Sequence, residues 1–305
     1  MEKKSVNILL ACDGSELSLD AVRYIGKTFA PEYTRVVLFY VDSKIPRSFW
    51  NMEKQMDFRF QPSHIRASMT SQCKLVNEFM AKAQNLLLNA GFSEEFVVKK
   101  IHTKKQGVVR DIAYESLQGY DAVVVGRKGH SRIKDILFGS VPERLLGKIR
   151  RIPLIIVGGV PVHNNILVAF DGTRAVKKAV RCLSFMGTSS ESKFLLCHAV
   201  APHGVFHRDG DELSSEAKRE KIDSMLNESK EYLSEAGFSF SQVSCEVMEV
   251  QKQLSGDMIE KARQGNYGTI VIGRRDLGFF KKFFIGRVGA KIFNLADNLI
   301  IWVVQ

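Results

Sequence analysis

The chain has no apolar run approaching the roughly 18 residues needed to cross a bilayer, which excludes a bundle of membrane-spanning helices. Only seven prolines and two tryptophans occur in 305 residues, and the 23 glycines follow no short period, so collagenous and low-complexity chains are excluded as well. Cysteine is scarce: Cys12, Cys73, Cys182, Cys197 and Cys245, an odd number without a CxxC pair. A disulfide framework or a zinc ribbon needs more regular spacing. Three of the five, Cys12, Cys197 and Cys245, lie in or beside apolar strand-like runs, and all are read as reduced, small hydrophobes. A secretory leader is not expected either, because Asp13 arrives before an apolar leader core has formed; the expected location is the cytoplasm. What remains is an ordinary globular composition, 45% apolar and 25% charged, with a formal net charge of +11. That charge suits an anionic partner such as a nucleotide, a nucleic acid or an acidic surface, and equally a solvated basic surface with no partner.

The length suggests two domains, and internal repetition supports this. NILLACDGS at 7–15 returns as NILVAFDGT at 165–173, an offset of 158. AGFS at 90–93 returns at 236–239, and YDAVVVGRKG at 120–129 returns as YGTIVIGRRD at 267–276, offsets of 146 and 147. Three ordered matches indicate duplication of a whole domain, 1–159 and 164–305, joined by the short segment Gly158 to His163. The shorter later offset places extra residues in the first copy, around 43–66, with Phe49, Trp50, Phe58 and Phe60 among charged residues. That segment is read as a lid over a ligand or a partner-binding loop.

Strand and helix patterns alternate within each copy. Ile8-Leu9-Leu10-Ala11, Val36 to Val41, Ala122 to Val125 and Leu154 to Val157 are continuous apolar runs, as in strands buried on both faces. A more polar strand near Phe96 to Ile101 suits a sheet edge. Leu19, Val22, Ile25 and Phe29 mark one helix, and Leu75, Phe79, Ala83 and Leu86 a second, ending at Gly91. Further helices are expected over about 107–118 and 140–149. Five strands with helical crossovers predict a doubly wound, five-stranded parallel sheet in each copy, with ligands bound beyond the carboxyl ends of the strands where the strand order reverses.

The residues at those ends carry the candidate chemistry. Asp13-Gly14-Ser15-Glu16 follows the first strand, and Gly126-Arg127-Lys128-Gly129 follows the fourth. Nine residues later Gly139-Ser140 opens a helix. Paired glycines let main-chain amides approach an anion, and a helix start adds further donors and the positive end of its dipole. The pattern is neither GxGxxG nor GxxxxGK[ST]. Asp13 is also ordinary turn and cap chemistry, Gly126 and Gly129 suit plain turns, and Arg127, Lys128, Arg132 and Lys134 suit a solvated face as well as phosphate neutralisation. His130 is read as a surface histidine more readily than as an acid or phosphate donor, because no carboxylate or nucleophile is visibly paired with it.

Gly126, two residues, Gly129, nine residues, Gly139 and then Ser140, flanked by ILLACDGSELS and GSVPERLL, resembles the motif of the universal stress protein family. The resemblance spans nearly the whole chain as a tandem pair of adenine-nucleotide alpha-hydrolase-like domains packed as a pseudo-twofold pair. It implies that Asp13 and the backbone near Val41 hydrogen-bond an adenine. It implies that Gly126, Arg127 and Gly129 lie along the ribose and phosphates, and that Gly139, Ser140 and Val141 donate to the phosphates. The implied ligand is ATP, ADP or AMP, with or without Mg2+; many members bind ATP and some do not. No catalytic residue and no protein metal ligand is assigned. The expected role is a nucleotide-binding stress-response or regulatory factor with little turnover. Slow ATP hydrolysis or adenylyl transfer at the same site is the alternative. A scaffold or nucleic-acid-binding role is the second, without a helix-turn-helix, RNA-binding or zinc signature behind it.

The second copy departs from the motif. It keeps Asp171-Gly172-Thr173, Gly273 and Gly286, but Asp276 stands where the second glycine belongs and Arg287 where the serine belongs. A carboxylate there faces the phosphates at a cost on the order of a few kcal/mol, a large part of the about 8 kcal/mol of a micromolar complex. Phe279, Phe280, Phe283 and Phe284 around Lys281 and Lys282 suit packing against the neighbouring domain more than an apolar ligand pocket or a membrane-surface loop. Leu154 to Val157 and Leu299 to Val304 are apolar strands whose open edges are a liability, and the family resemblance implies that they pair antiparallel within the chain. A module built that way has surface left for a homodimer.

Overall fold

Strand β1, Val6–Cys12, is the centre of the first half. Its residues Ile8, Leu9 and Leu10 are fully buried, as a strand covered on both faces requires. The computed structural model describes residues 5–42, 63–127, 140–170, 182–183, 192–200, 215–235, 237–251, 254–273 and 299–304. Two compact units make up the chain, Met1–Ile149 and Arg150–Gln305.

In the first unit β1 is followed by α1 (Glu16–Thr28), β2 (Thr34–Asp42), α2 (Ser63–Asn89), β3 (Val97–Thr103), α3 (Val108–Glu115), β4 (Ala122–Gly126) and α4 (Ser140–Lys148). The strands are parallel in the order β3-β2-β1-β4. Leu19, Val22 and Ile25 of α1 are buried as their spacing predicts, with Phe29 closing the line at the helix end. Glu16 in the first turn and Lys27 in the last complement the helix dipole. The polar strand β3 is at the edge, where Lys99 and Lys100 are exposed.

Helix α2 corrects the sequence expectation. Leu75 is 58% exposed, and Phe79 and Leu86 are only half-buried. The inward line is Cys73, Val76, Met80, Ala83 and Leu87. Both lines have helical spacing and share Ala83, but they lie about a quarter turn apart. The helix carries a broad apolar face, and tertiary packing chose the stripe that sequence spacing left ambiguous.

The second unit contains β5 (Leu154–Val157), β6 (Asn165–Phe170), β7 (Phe194–Val200), α5 (Ser215–Glu235), β8 (Val243–Glu249), α6 (Leu254–Gln264), β9 (Tyr267–Gly273) and β10 (Ile300–Val304). The order is β5-β10-β9-β6-β7-β8. β10 runs parallel to β9 and antiparallel to β5, with Ile300 opposite Val157 and Trp302 opposite Ile155. The last strands of the two sequence copies thus cover each other's edges. Trp302, 1% exposed, is the largest side chain buried there.

The duplicated frame repeats one polar cluster with its charges exchanged. In the first unit Lys100 Nζ on β3 donates to both carboxylate oxygens of Glu115 on α3 at 2.7 and 2.8 Å, and Tyr120 Oη donates to Glu115 Oε1 at 2.7 Å. In the second, the strand residue is Glu246 and the helix residue is Lys261, whose Nζ donates to Glu246 Oε1 at 2.6 Å. Both positions are offset by 146. The acid of α3 is therefore the base of α6, and each helix is tied to its edge strand by the same bond reversed.

None of the five cysteines forms a disulfide. Cys12, Cys73 and Cys197 are buried, matching their reading as small hydrophobes, whereas Cys245 on the edge strand β8 is exposed.

Candidate functional site

β1 leads on to β2 on one side, while β4 lies on its other side. The chain thus leaves the carboxyl ends of β1 and β4 toward opposite sides of the sheet, opening the crevice that doubly wound folds use for ligands. The register brings the candidate residues level. Ala11 is opposite Val125, so Asp13 and Arg127 each lie two residues beyond that pair, just past the ends of their strands. Cys12 is opposite Tyr40, which brings Asp13 level with Val41 at the neighbouring strand end. Asp13, Val41, Gly126 and Arg127 are therefore assembled at one corner of the first unit.

Asp13 is held by its own turn. Its Oδ1 accepts from the Ser15 amide at 3.0 Å, the Ser15 hydroxyl at 2.6 Å and the Ser18 hydroxyl at 2.5 Å. Ser15 is the N-cap of α1 and its Oγ accepts from the Ser18 amide at 3.2 Å. Gly14 makes the turn with φ of +86°, a left-handed value suited to glycine. The cap reading of Asp13 holds: Oδ1 serves the turn that starts α1. The other oxygen, Oδ2, accepts no hydrogen bond among the described residues. Ser15 and Ser18 were missed as supporting residues. Their signal was the Asp-x-Ser-x-x-Ser spacing.

Gly126 ends β4 rather than forming a turn. A Cβ there would sit 3.1 Å from both the carbonyl carbon and the oxygen of Leu17 in the first turn of α1. The missing side chain lets β4 pack against the helix that Asp13 and Ser15 start. Arg127 is buried, 7% exposed, and so is not part of a solvated face. Val141 is half-buried in the first turn of α4, and Pro142 follows where the helix needs no amide donor. Gly129, Gly139, Lys128, His130, Arg132, Lys134 and the side chain of Ser140 lie outside the described residues. So do Asp171, Gly172, Thr173, Asp276, Gly286 and Arg287 of the second motif, the phenylalanines 279–284, and residues 43–62 of the inserted segment. Residues 63–66, the end of that segment, open α2.

Burial governs the electrostatics. It pushes the Cys12 thiol far up, with the Asp13 carboxylate adding to the effect, so the thiol at this corner is no thiolate nucleophile at neutral pH. Burial, then Asp42 and Asp13, raise Tyr40. Burial, then the bond to Glu115, raise Tyr120. Burial raises Cys197 to about 11, and the bond to Glu246 raises Lys261. A group that holds its proton more tightly when folded stabilises the fold below its unfolded pKa, and that stability is lost as pH rises through the folded value. Starting from ordinary values of 9.0, 10.0 and 10.5, all these contributions are intact at neutral pH and erode only in alkali. The melting temperature should stay flat from neutrality and fall steeply above about pH 9. A flat Tm through that range in a pH series of thermal melts would contradict these assignments.

No metal-binding group of three or more His, Cys, Asp or Glu side chains occurs among the described residues. No helix among them is long and apolar enough to cross a membrane.

Comparison with known proteins gives the frame a family. A structure of a universal stress protein from Archaeoglobus fulgidus DSM 4304 is similar over 99% of this chain and 97% of its own, at 18% identity and a TM-score of 0.59. A structure of a functionally unknown protein from Pseudomonas aeruginosa PAO1 is similar over 99% and 92%, at 14% identity and a TM-score of 0.50. At such identities the likeness is one of fold. No curated protein sequence matches. The model of the universal stress protein family matches twice, over residues 6–157 and 163–299. Two matches in tandem, together spanning most of the chain, mean that the chain belongs to the universal stress protein family.

Proposed function

We propose that the first unit binds an adenine nucleotide, ATP, ADP or AMP, at the corner between β1 and β4, and that the protein acts in the cytoplasm as a stress-response or regulatory factor with little turnover. The observation that carries this reading is the Asp13 carboxylate at the sheet's switch point. Three donors fix Oδ1, and Oδ2 remains an acceptor suited to an exocyclic amine. The fit extends to the level placement of Val41 beside Asp13 and to the buried Arg127 cation at the β4 end. The donors for phosphate belong to the segment 126–141 of the family motif. A divalent ion, where the triphosphate carries one, would take its ligands from the phosphates and water, since the described residues offer no cluster for it. Little turnover is supported by the protonated Cys12 and by the lack of a nucleophile–base pair among the described residues of the corner. The second copy binds nucleotide weakly or not at all, because Asp276 and Arg287 replace a glycine and a serine of the motif.

Asp13→Asn tests the site with little disturbance of the turn. The amide oxygen still accepts from Ser15 and Ser18, but a donor replaces the acceptor at Oδ2. ATP affinity, read by calorimetric titration, should fall roughly ten- to a hundredfold. ITP, which has a carbonyl in place of the amine, should lose far less. Equal loss of both, or none of either, would remove Asp13 from base recognition.

A further inference from the structure

We propose that the exposed face of α3 in the first unit is a docking surface for an acidic protein segment that carries an apolar anchor. Arg110, Tyr114 and Leu117 are spaced i, i+4 and i+7 and share one face of the helix and its following turn. Tyr114 is 71% exposed and Leu117 60%, and Arg110 is exposed beside them. Lys104 and Lys105, both exposed, lie in the loop at the foot of the helix. The two acids of the helix do not neutralise this face. The Asp111 carboxylate accepts from the Lys105 and Gln106 amides at 2.8 and 3.0 Å, and Glu115 is buried against Lys100 and Tyr120.

The second copy shows that the fold does not require such a face. Asp257 accepts from the Gln251 amide at 2.7 Å as Asp111 does from Lys105. With the exchanged ion pair, this fixes the correspondence at an offset of 146. At the places of Lys104, Lys105, Arg110, Tyr114 and Leu117 the second copy has Val250, Gln251, Gly256, Glu260 and Arg263. Helix α6 forms with its outer face charged and without an apolar pair. The basic and apolar residues of α3 are thus a property of the first copy alone.

The chemistry of the patch selects the partner. Cations at one end of a face that carries a tyrosine and a leucine complement carboxylates beside an apolar side chain, and tyrosine is a common anchor of protein interfaces. A single-stranded nucleic acid would stack on Tyr114 but gain nothing from Leu117. A second copy of this chain meeting this face with its own would set Lys104, Lys105 and Arg110 against like charges. So small a patch fits a weak, reversible contact.

A phage-displayed random-peptide library selected on the intact, nucleotide-free protein tests this, so its outcome does not depend on the nucleotide site. The enriched peptides are then labelled and titrated against the wild type and two variants. Tyr114→Glu/Leu117→Arg installs residues that the second copy already tolerates, and Lys105→Gln/Arg110→Ala removes two cations. The expected result is enrichment of Asp and Glu around a leucine or aromatic residue. Affinity should fall about tenfold or more in the first variant, with affinity and its salt dependence both reduced in the second. Peptides without acidic character, or equal binding to wild type and the first variant, would overturn the proposal. So would a short single-stranded RNA, or self-association seen by sedimentation, proving to be what the first variant abolishes.

Discussion

Reversing the charge at residue 115 should destabilise the first unit by about 2–4 kcal/mol, and reversing residue 100 as well should restore more than half of that loss. Glu115 is nearly buried, with 9% of its side chain exposed, and its carboxylate takes both Lys100 Nζ contacts and the Tyr120 hydroxyl. Glu115→Lys puts two cations face to face and leaves the half-buried Tyr120 hydroxyl without its acceptor, and breaking buried pairs typically costs about 3–5 kcal/mol. The 45% exposure of Lys100 moderates this, because water screens that end of the pair. The rescue rests on the second unit, where Glu246 on the strand and Lys261 on the helix make the reversed bond at 2.6 Å. Urea denaturation of wild type, Lys100→Glu, Glu115→Lys and the double variant gives the coupling energy directly. A double variant no more stable than Glu115→Lys would mean that the two units hold their edge strands by different physics.

Gly126→Val should lower stability by about 2–4 kcal/mol and remove nucleotide binding with it. A Cβ at 126 meets the Leu17 main chain at 3.1 Å, and main chain at the start of a helix does not swing aside as a side chain would. To give way, α1 must move at the turn where Ser15 caps it and Asp13 bonds Ser15 and Ser18. Strain at the strand end and displacement of the Asp13 carboxylate are therefore one event. Gly126→Ala, smaller by two methyl groups, should show the same pair of effects at reduced size. Thermal melts together with ATP titration of both variants check this. Wild-type stability in Gly126→Val would show that β4 and α1 have room to separate.

The parallel strands were legible because a strand buried on both faces needs a continuous apolar run, and Ile8 to Ala11 or Ala122 to Val125 has no other economical reading. Duplication exposed the two halves, and polarity marked β3 as an edge. Spacing could not say which of two apolar stripes of α2 faces inward, because Leu75 and Val76 are equally apolar and only the packed sheet distinguishes them. The contact of Gly126 with α1 was not legible, since sequence shows neither where a strand ends nor which helix crosses it. The Asp13 acceptor was legible as a residue, whereas its two serine supports depend on a cap geometry that spacing only hints at. The exchanged ion pair was written in the sequence as opposite charges at 100 and 246 and at 115 and 261. It became visible only when the fold brought strand and helix together.

The central claim is that one nucleotide site exists per chain and that the first copy holds it. The most direct measurement is the stoichiometry of ATP binding to the full-length protein by calorimetric titration. One site per 305-residue chain is the predicted result. Two equal sites, or no heat of binding at millimolar ATP, would contradict it.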